Sequence, residues 1–460
     1  MAQTYDLTNG KVSKLILKFF FPMFFTNMLQ QIYSIADTAI VGKGLGDDSL
    51  AAVGNMSSLT FLIVGFSIGM TNGFSVSAAQ YFGAQKYDKL RNTLASSLIL
   101  SVIISAVLTA VSTVFLRSTL VMLQTPEIII HESLRYGYII FGGLTATIAY
   151  NLCACTLRAL GDSKTPFIAI IISTLINICL DYVLIFIVKT GVEGAAAATV
   201  FAQLISALVC ILKIRKIEII KLGRADFKTH LSIYSELLKN GIPMAAMNSI
   251  TAIGCMVIQY FVNGLGIAFT SAYSACSRFI NLFIQPACTA GYTMSSFTSQ
   301  NFGARRYTRI QEGLRVCLCI SLVSYILLGS VMFFLPRQLA GIMLNGDEQI
   351  SLAVIYLQRA GIMKFAVDFL FIYRCACQGM GHPVFPMVSG VSEMLMRVIV
   401  IVFFVSRLGF SSTAYAEIAA WIAALIINMA AFRFYYSKTL KESECTASSG
   451  TVEAAGGFVK

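Results

Sequence analysis

The apolar positions of this chain fall into twelve long runs. They span residues 15–41, 50–80, 94–116, 134–158, 166–188, 193–213, 241–263, 267–299, 316–336, 350–378, 384–406 and 412–436. A helix crosses the hydrocarbon of a bilayer in about 20 residues. None of the runs alternates with a period of two, and backbone polar groups in lipid must be satisfied within the segment, so helices are the predicted elements. The expected fold class is an all-α integral membrane protein with twelve transmembrane helices. The longest connection, 214–235, is basic and is expected to form an interfacial helix. The stretch 437–460 is rich in Ser, Thr, Gly and Glu and is expected to be a disordered tail.

Composition agrees with this pattern. Hydrophobic residues make up 57% and charged residues 12%, against about 25% charged in soluble domains. A net charge of +12 would suggest nucleic acid in a soluble protein. Here the basic residues lie in alternate connections: Lys11, Lys14 and Lys18, then Lys86, Lys89 and Arg91, then Lys213 to Lys228, then Arg305 to Arg315. The intervening loops are poor in Lys and Arg. The positive-inside rule therefore places both termini in the cytoplasm and explains the charge without a nucleic-acid partner. The first apolar run is too long for a signal-peptide core, so no cleaved leader is expected. The cysteines show no C-x-x-C spacing and read as packing residues rather than metal ligands or disulfides. His131, His230 and His382 are scattered, and neither H-E-x-x-H nor a Ser-His-Asp arrangement is present. The chain is not expected to be an enzyme or to need a cofactor. It lacks the extramembrane domain of a receptor, and a monomer suffices.

The halves repeat. YFGAQKY at 81–87 returns as NFGARRY at 301–307, an offset of 220. The same offset maps Gly44-Leu45-Gly46 onto Gly264-Leu265-Gly266, Tyr136 onto Tyr356, Gly161 onto Gly381 and Pro166 onto Pro386. Each unit holds six spans, an even number, so both enter the membrane the same way and a pseudo-two-fold along the membrane normal relates them. The expected organisation is an N-terminal lobe at 1–213, a cytoplasmic linker at 214–235, a C-terminal lobe at 236–436 and a cytoplasmic tail at 437–460.

Carboxylates inside the spans carry the candidate chemistry. Asp37 lies six residues inside Lys43, about 9 Å at the helical rise, and a charge at the bilayer centre costs roughly 2.5 to 3.5 kcal/mol or more. Asn177 and Asp181 share a helix face in the fifth span, and no Lys or Arg lies within a turn of Asp181. Thr199 in the sixth span comes to the same level. This set supplies only oxygen ligands and suits a proton or a hard monovalent cation such as Na⁺, held by Asp37, Asn177, Asp181 and Thr199. Tyr33, one turn before Asp37, is placed to join its hydrogen bonds. The second half differs: its matching positions are Val257, Arg397 and Ile401. Glu393 with Arg397, and Lys364 with Asp368, are spaced as intramembrane pairs, with substrate or coupling roles as the alternative. Arg278 and Asn281 share a face of the eighth span and are candidates to line a cavity.

As a set, ADTAIVGKGLG at 36–46, the FGA motifs at 82–84 and 302–304, LRALGD at 157–162 and NICLD at 177–181 give a resemblance over nearly all of residues 10–436. The chain resembles the multidrug and toxic compound extrusion (MATE) family, and is closest to its DinF-like bacterial branch. The resemblance implies a V-shaped, twelve-helix fold in a bacterial inner membrane. It also implies export of amphipathic, often cationic, small molecules in exchange for entering H⁺ or Na⁺. Asp37, Asn177, Asp181 and Thr199 match the N-lobe cation site of prokaryotic members. One branch of the family has a Glu shortly after the Pro of the seventh helix. Here Pro243 is followed by Met244, Ala245, Ala246, Met247 and Asn248, which disfavours a C-lobe cation site of that type. A related superfamily that flips lipid-linked precursors is the alternative. It would call for a basic central cavity, whereas the basic residues here sit mainly in connections.

Overall fold

A computed structural model describes residues 6–123, 125–228 and 230–456. The first lobe comprises α1 (Val12–Leu45), α2 (Asp47–Gly83), α3 (Tyr87–Met122), α4 (Glu127–Gly142), α5 (Leu144–Ala159), α6 (Lys164–Tyr182) and α7 (Val192–Ile214). The second comprises α8 (Leu231–Asn263), α9 (Ile267–Phe283), α10 (Gln285–Gly303), α11 (Tyr307–Ser324), α12 (Ser330–Phe334), α13 (Pro336–Met343), α14 (Asp347–Gly379), α15 (Val384–Leu408) and α16 (Ser411–Gly456). Single π-helical turns continue α6 over Val183–Ile187 and join α11 to α12 over Tyr325–Gly329. Among the described residues ten helices are long and apolar enough to cross a membrane, and the pair α4–α5, bent by 44°, makes an eleventh when taken as one span. The pair α9–α10, over 267–303, stands at the position the repeat assigns to α2.

Backbone conformation reproduces the repeat. Gly46 and Gly266, Gly161 and Gly381, Gln85 and Arg305, and Lys189 and Gly409 are pairs at the offset of 220, and every member has positive φ. The turn of each FGA motif therefore closes on a left-handed residue, Gln85 with φ 56° and Arg305 with φ 57°.

The FGA glycines have a second role. A Cβ on Gly83 would lie 2.0 Å from the carbonyl oxygen of Gln300, and one on Gly303 would lie 1.9 Å from the carbonyl oxygen of Gln80. The helices α2 and α10 thus cross backbone to backbone at the pseudo-two-fold, which only glycine permits. The two glutamines complete the crossing reciprocally. Gln80 Nε2 donates to the Gly379 carbonyl at 3.0 Å, and Gln300 Nε2 donates to the Ala159 carbonyl at 2.8 Å. Gly69 and Gly73 of α2 meet the backbone of Ala245 and Gly241 in α8 in the same way. Side-chain bonds that join the lobes run from this end to the middle of α2. Asn240 donates to Ser77, Asn248 to the Gly65 carbonyl, and Asn27 to Thr289. Residues 6–10 strap across the same end. Leu7 N–H donates to Gln300 Oε1, and Arg306 and Arg309 donate to the carbonyls of Thr8 and Gly10. Toward the other end, Ile32, Ile35, Phe61 and Tyr260 are exposed.

Two expectations are corrected. The connection 214–235 holds no interfacial helix, only 3₁₀ turns at Glu218–Ile220 and Arg224–Phe227 before α8 begins. Ile217 and Ile220 are buried in the core of the first lobe, and Arg91 donates to the Ile219 carbonyl, so the segment is pinned locally instead of lying flat. Helical backbone continues through 437–456, where a disordered tail was expected; residues 457–460 lie outside the described residues. No proline interrupts that stretch and its first glycine is Gly450, while Lys438 and Glu442 pair across one turn. A short helix, α13, follows the ninth apolar run, with Pro336 in its first turn.

Candidate cation site

Four helices of the first lobe converge on Asp37. Asp37 lies in α1, Asn177 and Asp181 in α6, Thr199 in α7 and Tyr136 in α4. The spacing does the placing. Gln30, Tyr33 and Asp37 form one polar stripe on α1, and Ser173, Asn177 and Asp181 form another on α6, each at three- or four-residue steps. On α7, Thr199, Gln203 and Ser206 continue the pattern.

Asn177 and Asp181 are fully buried. The carboxyl groups of Asp37 and Asp181 lie close enough to interact. As bare carboxylates both can only accept, so the contact is attractive only with a proton or a cation between them. No other donor relieves it. Asp37 Oδ1, both oxygens of Asp181 and both polar atoms of the Asn177 amide are buried without hydrogen-bond partners. An orphaned buried polar group costs about 1–3 kcal/mol, and more when charged. Among the described residues no Lys, Arg or His forms an ion pair with either Asp37 or Asp181.

The flanking polar groups are ordered. Tyr33 Oη and Thr199 Oγ1 are hydrogen-bonded at 3.1 Å. Tyr136, buried, stands beside Asp37, Tyr33 and Asp181. A cavity of about 200 Å³ opens next to this cluster, lined by Gln30, Tyr33, Ser34, Ser173, Thr174 and Gln203. Sequence reasoning singled out Tyr33 among these and passed over the rest. Tyr136 was used only as a marker of the repeat. The signal that could have found Gln30, Ser173 and Gln203 is the one-turn spacing from residues already chosen.

The candidate residues of the second lobe form separate structures. Lys364 Nζ donates to both oxygens of Asp368 at 2.7 and 2.5 Å, and both side chains are buried. Arg397 pairs with Glu393 at 3.6 Å, its expected partner, but more closely with Glu417 of α16 at 2.9 Å. Glu393 in turn accepts from Arg374 of α14. The result is a buried, charge-balanced chain Arg374–Glu393–Arg397–Glu417. Arg374 and Glu417 were missed because they lie 19 and 20 residues from their partners, beyond any one-helix pattern. Arg278 and Asn281 are exposed on α9, a helix that packs within the second lobe against α8, α10, α13 and α14. The structure does not bring them to the carboxylate cluster.

The MatE family model matches the chain twice, over residues 22–183 and 243–404, once in each lobe. The chain is 29% identical over 73% of its length, and 74% of the other's, to the "Probable multidrug resistance protein YoeA" of Bacillus subtilis (strain 168). It is 24% identical over 82% of both chains to the "Probable multidrug resistance protein NorM" of Thermotoga maritima (strain ATCC 43589 / DSM 3109 / JCM 10099 / NBRC 100826 / MSB8). A solved structure described as "Crystal structure of MATE in the bent conformation" superposes with a TM-score of 0.89 at 21% identity, covering 95% of this chain and 98% of that one. Two family matches, one per six-span repeat, on a two-lobed helical fold show that this chain belongs to the MatE family of multi-pass membrane transporters.

Proposed function

We propose that this chain exports amphipathic, cationic small molecules across a bacterial inner membrane in antiport with H⁺ or Na⁺. Both termini face the cytoplasm in this reading, which puts the sealed end of the bundle inside. The observation that carries the coupling is the pair of carboxylates of Asp181, fully buried, and Asp37, half-buried, close together with no basic partner among the described residues. The donor set fits a proton or Na⁺: two carboxylates, the Asn177 carbonyl oxygen and the Thr199 hydroxyl are all hard oxygen donors. The names of the relatives, multidrug resistance proteins, support the cargo class.

The mechanism follows from the cost of bare charge. With the site empty, Asp37 and Asp181 repel one another in a medium of low dielectric constant. A proton or Na⁺ arriving from outside cancels one of the two negative charges, removes the repulsion and lets α1 close on α6. A substrate cation held by the same negative charge then loses its partner and leaves. The ion can shift this equilibrium only by its difference in affinity for the two states. The test is dye efflux from proteoliposomes under imposed pH or Na⁺ gradients. Efflux should follow one gradient and lose that dependence in Asp37→Asn. Efflux indifferent to both gradients would refute the antiport.

A further inference from the structure

A groove in the second lobe is built from residues other than those of the carboxylate cluster. It lies at the start of α8, bounded by the turn into α15 and by Tyr435 of α16, and encloses about 700 Å³. Its polar end is cationic. Lys239 is exposed and has no carboxylate within 4 Å among the described residues. His382 stacks flat on Tyr435 with ring centroids 3.8 Å apart, and Lys438 lies close to His382. Lys438 is only loosely held by Glu442 at 3.9 Å, both side chains being exposed. The other wall is apolar and open outward: Ile242 is 50% exposed, Val384 49% and Phe385 39%. A cationic mouth that continues into an exposed apolar wall matches an amphiphile with a negative head. Inorganic phosphate would use only the mouth, and a lipid without net charge would leave the lysines uncompensated.

We propose that this groove holds an anionic phospholipid of the cytoplasmic leaflet, its phosphate on Lys239 and its acyl chains along Ile242, Val384 and Phe385. The leaflet rests on the orientation proposed above; the site itself does not. The lipid touches the seal between the lobes. Asn240 in the groove wall donates to Ser77 at 3.0 Å, and Gly381, also in the wall, adjoins the Gln80 side chain. Occupancy therefore favours the closed seal.

Native mass spectrometry of the delipidated full chain in neutral detergent tests this, with phosphatidylglycerol and phosphatidylcholine titrated separately. Phosphatidylglycerol should bind about ten-fold more tightly than phosphatidylcholine. Lys239→Gln should weaken phosphatidylglycerol about five-fold, a loss of roughly one basic contact, and phosphatidylcholine by less, since choline already balances its phosphate. Lys239→Arg should restore it. Ser235→Trp, which fills the mouth, should remove the preference altogether and keeps the test alive if Lys239→Gln does not fold. Equal binding of the two lipids by the wild type would overturn the proposal. So would phosphatidylglycerol binding unchanged in both Lys239→Gln and Ser235→Trp. A dimer that disappears in Ser235→Trp would assign the groove to a second copy and would also overturn it. The readout needs no gradient, so failure of the antiport reading would leave this result intact.

Discussion

Gly303→Ala is the sharpest test of how the lobes are joined. The added Cβ would sit 1.9 Å from the Gln80 carbonyl oxygen and 2.7 Å from its carbon. That oxygen belongs to helical backbone in α2 and cannot swing aside. Relief to an ordinary contact of about 3 Å requires α2 and α10 to part by about 1 Å. The parting would stretch the Gln80–Gly379 and Gln300–Ala159 bonds, now 3.0 and 2.8 Å, to about 4 Å, beyond hydrogen-bonding range. Two lost hydrogen bonds at about 1 kcal/mol each, with overpacking of about 1–3 kcal/mol, destabilise the seal by roughly 3–5 kcal/mol. That is a shift of about two to three orders of magnitude in its opening equilibrium. Hydrogen exchange read by mass spectrometry should show it as faster exchange in the strap 6–10 and the turns 84–86 and 304–306. Gly83→Ala should match it, because the contact is reciprocal. The double variant should cost less than the sum, since lobes already parted have room for the second methyl. Gly54→Ala on the same helix α2, where nothing lies within 4 Å, is the control and should be neutral. Wild-type exchange and thermal stability in Gly303→Ala would refute a backbone-to-backbone seal.

Other outcomes follow from the two lobes separately. Asp181→Asn should fold with unchanged or higher thermal stability, because it removes an unpartnered buried charge, yet lose gradient-driven efflux; coupling that survives would place the ion elsewhere. Glu417→Gln should destabilise by about 3–5 kcal/mol, since it strips Arg397 of its closest partner inside the lobe, and an unchanged melting temperature would show that Glu393 alone suffices. Burial, with Lys438 nearby, holds the His382 imidazole below its usual value. Folding therefore favours the neutral ring, and this contribution to stability is present above about pH 6.5 and lost as the pH falls below it. His382→Gln should flatten the acid side of a melting-temperature profile measured from pH 7.5 downward; an unaltered profile would remove His382 from the account.

What the sequence displayed depended on the range of the interaction. The spans were legible because each is a local run of apolar residues, and the repeat because seven-residue motifs recur at one offset. The stripes Tyr33–Asp37 and Asn177–Asp181 were legible because neighbours on a helix face lie three or four residues apart. The reciprocal packing of Gly83 and Gly303 was visible only as a motif, since the reason for the glycine is a backbone 220 residues away. Arg374 and Glu417 escaped for the same reason. The breaks at Gly143 and Ile284 sit inside continuous apolar runs. At Gly143 the cause is tertiary: a Cβ there would strike Val200 of α7 at 2.3 Å. The linker misled because its basic residues suggested a membrane surface, while Ile217 and Ile220, buried against the first lobe, decided its course.

The symmetry of the contacts and the asymmetry of the charges together say where control of the cycle must lie. The seal is built twice over, with Gly83 and Gln80 from one lobe mirrored by Gly303 and Gln300 from the other. A symmetric seal has no preference for which lobe moves, and no group in it responds to an ion. The buried charges of the second lobe cannot supply the response. Lys364 is matched by Asp368, and Arg374 and Arg397 by Glu393 and Glu417, so adding a proton or Na⁺ there must first break a satisfied pair, at several kcal/mol. In the first lobe the proposed step would relieve a repulsion, because among the described residues neither Asp37 nor Asp181 forms an ion pair. In the proposed antiport, ion binding would thus be downhill in one lobe and uphill in its counterpart. A single ion site on α1 and α6 can then bias a two-fold seal from one side, and α1 is the element placed to transmit it. It carries Asp37 near one end, and at the other it is preceded by the strap that Arg306 and Arg309 clamp to the second lobe.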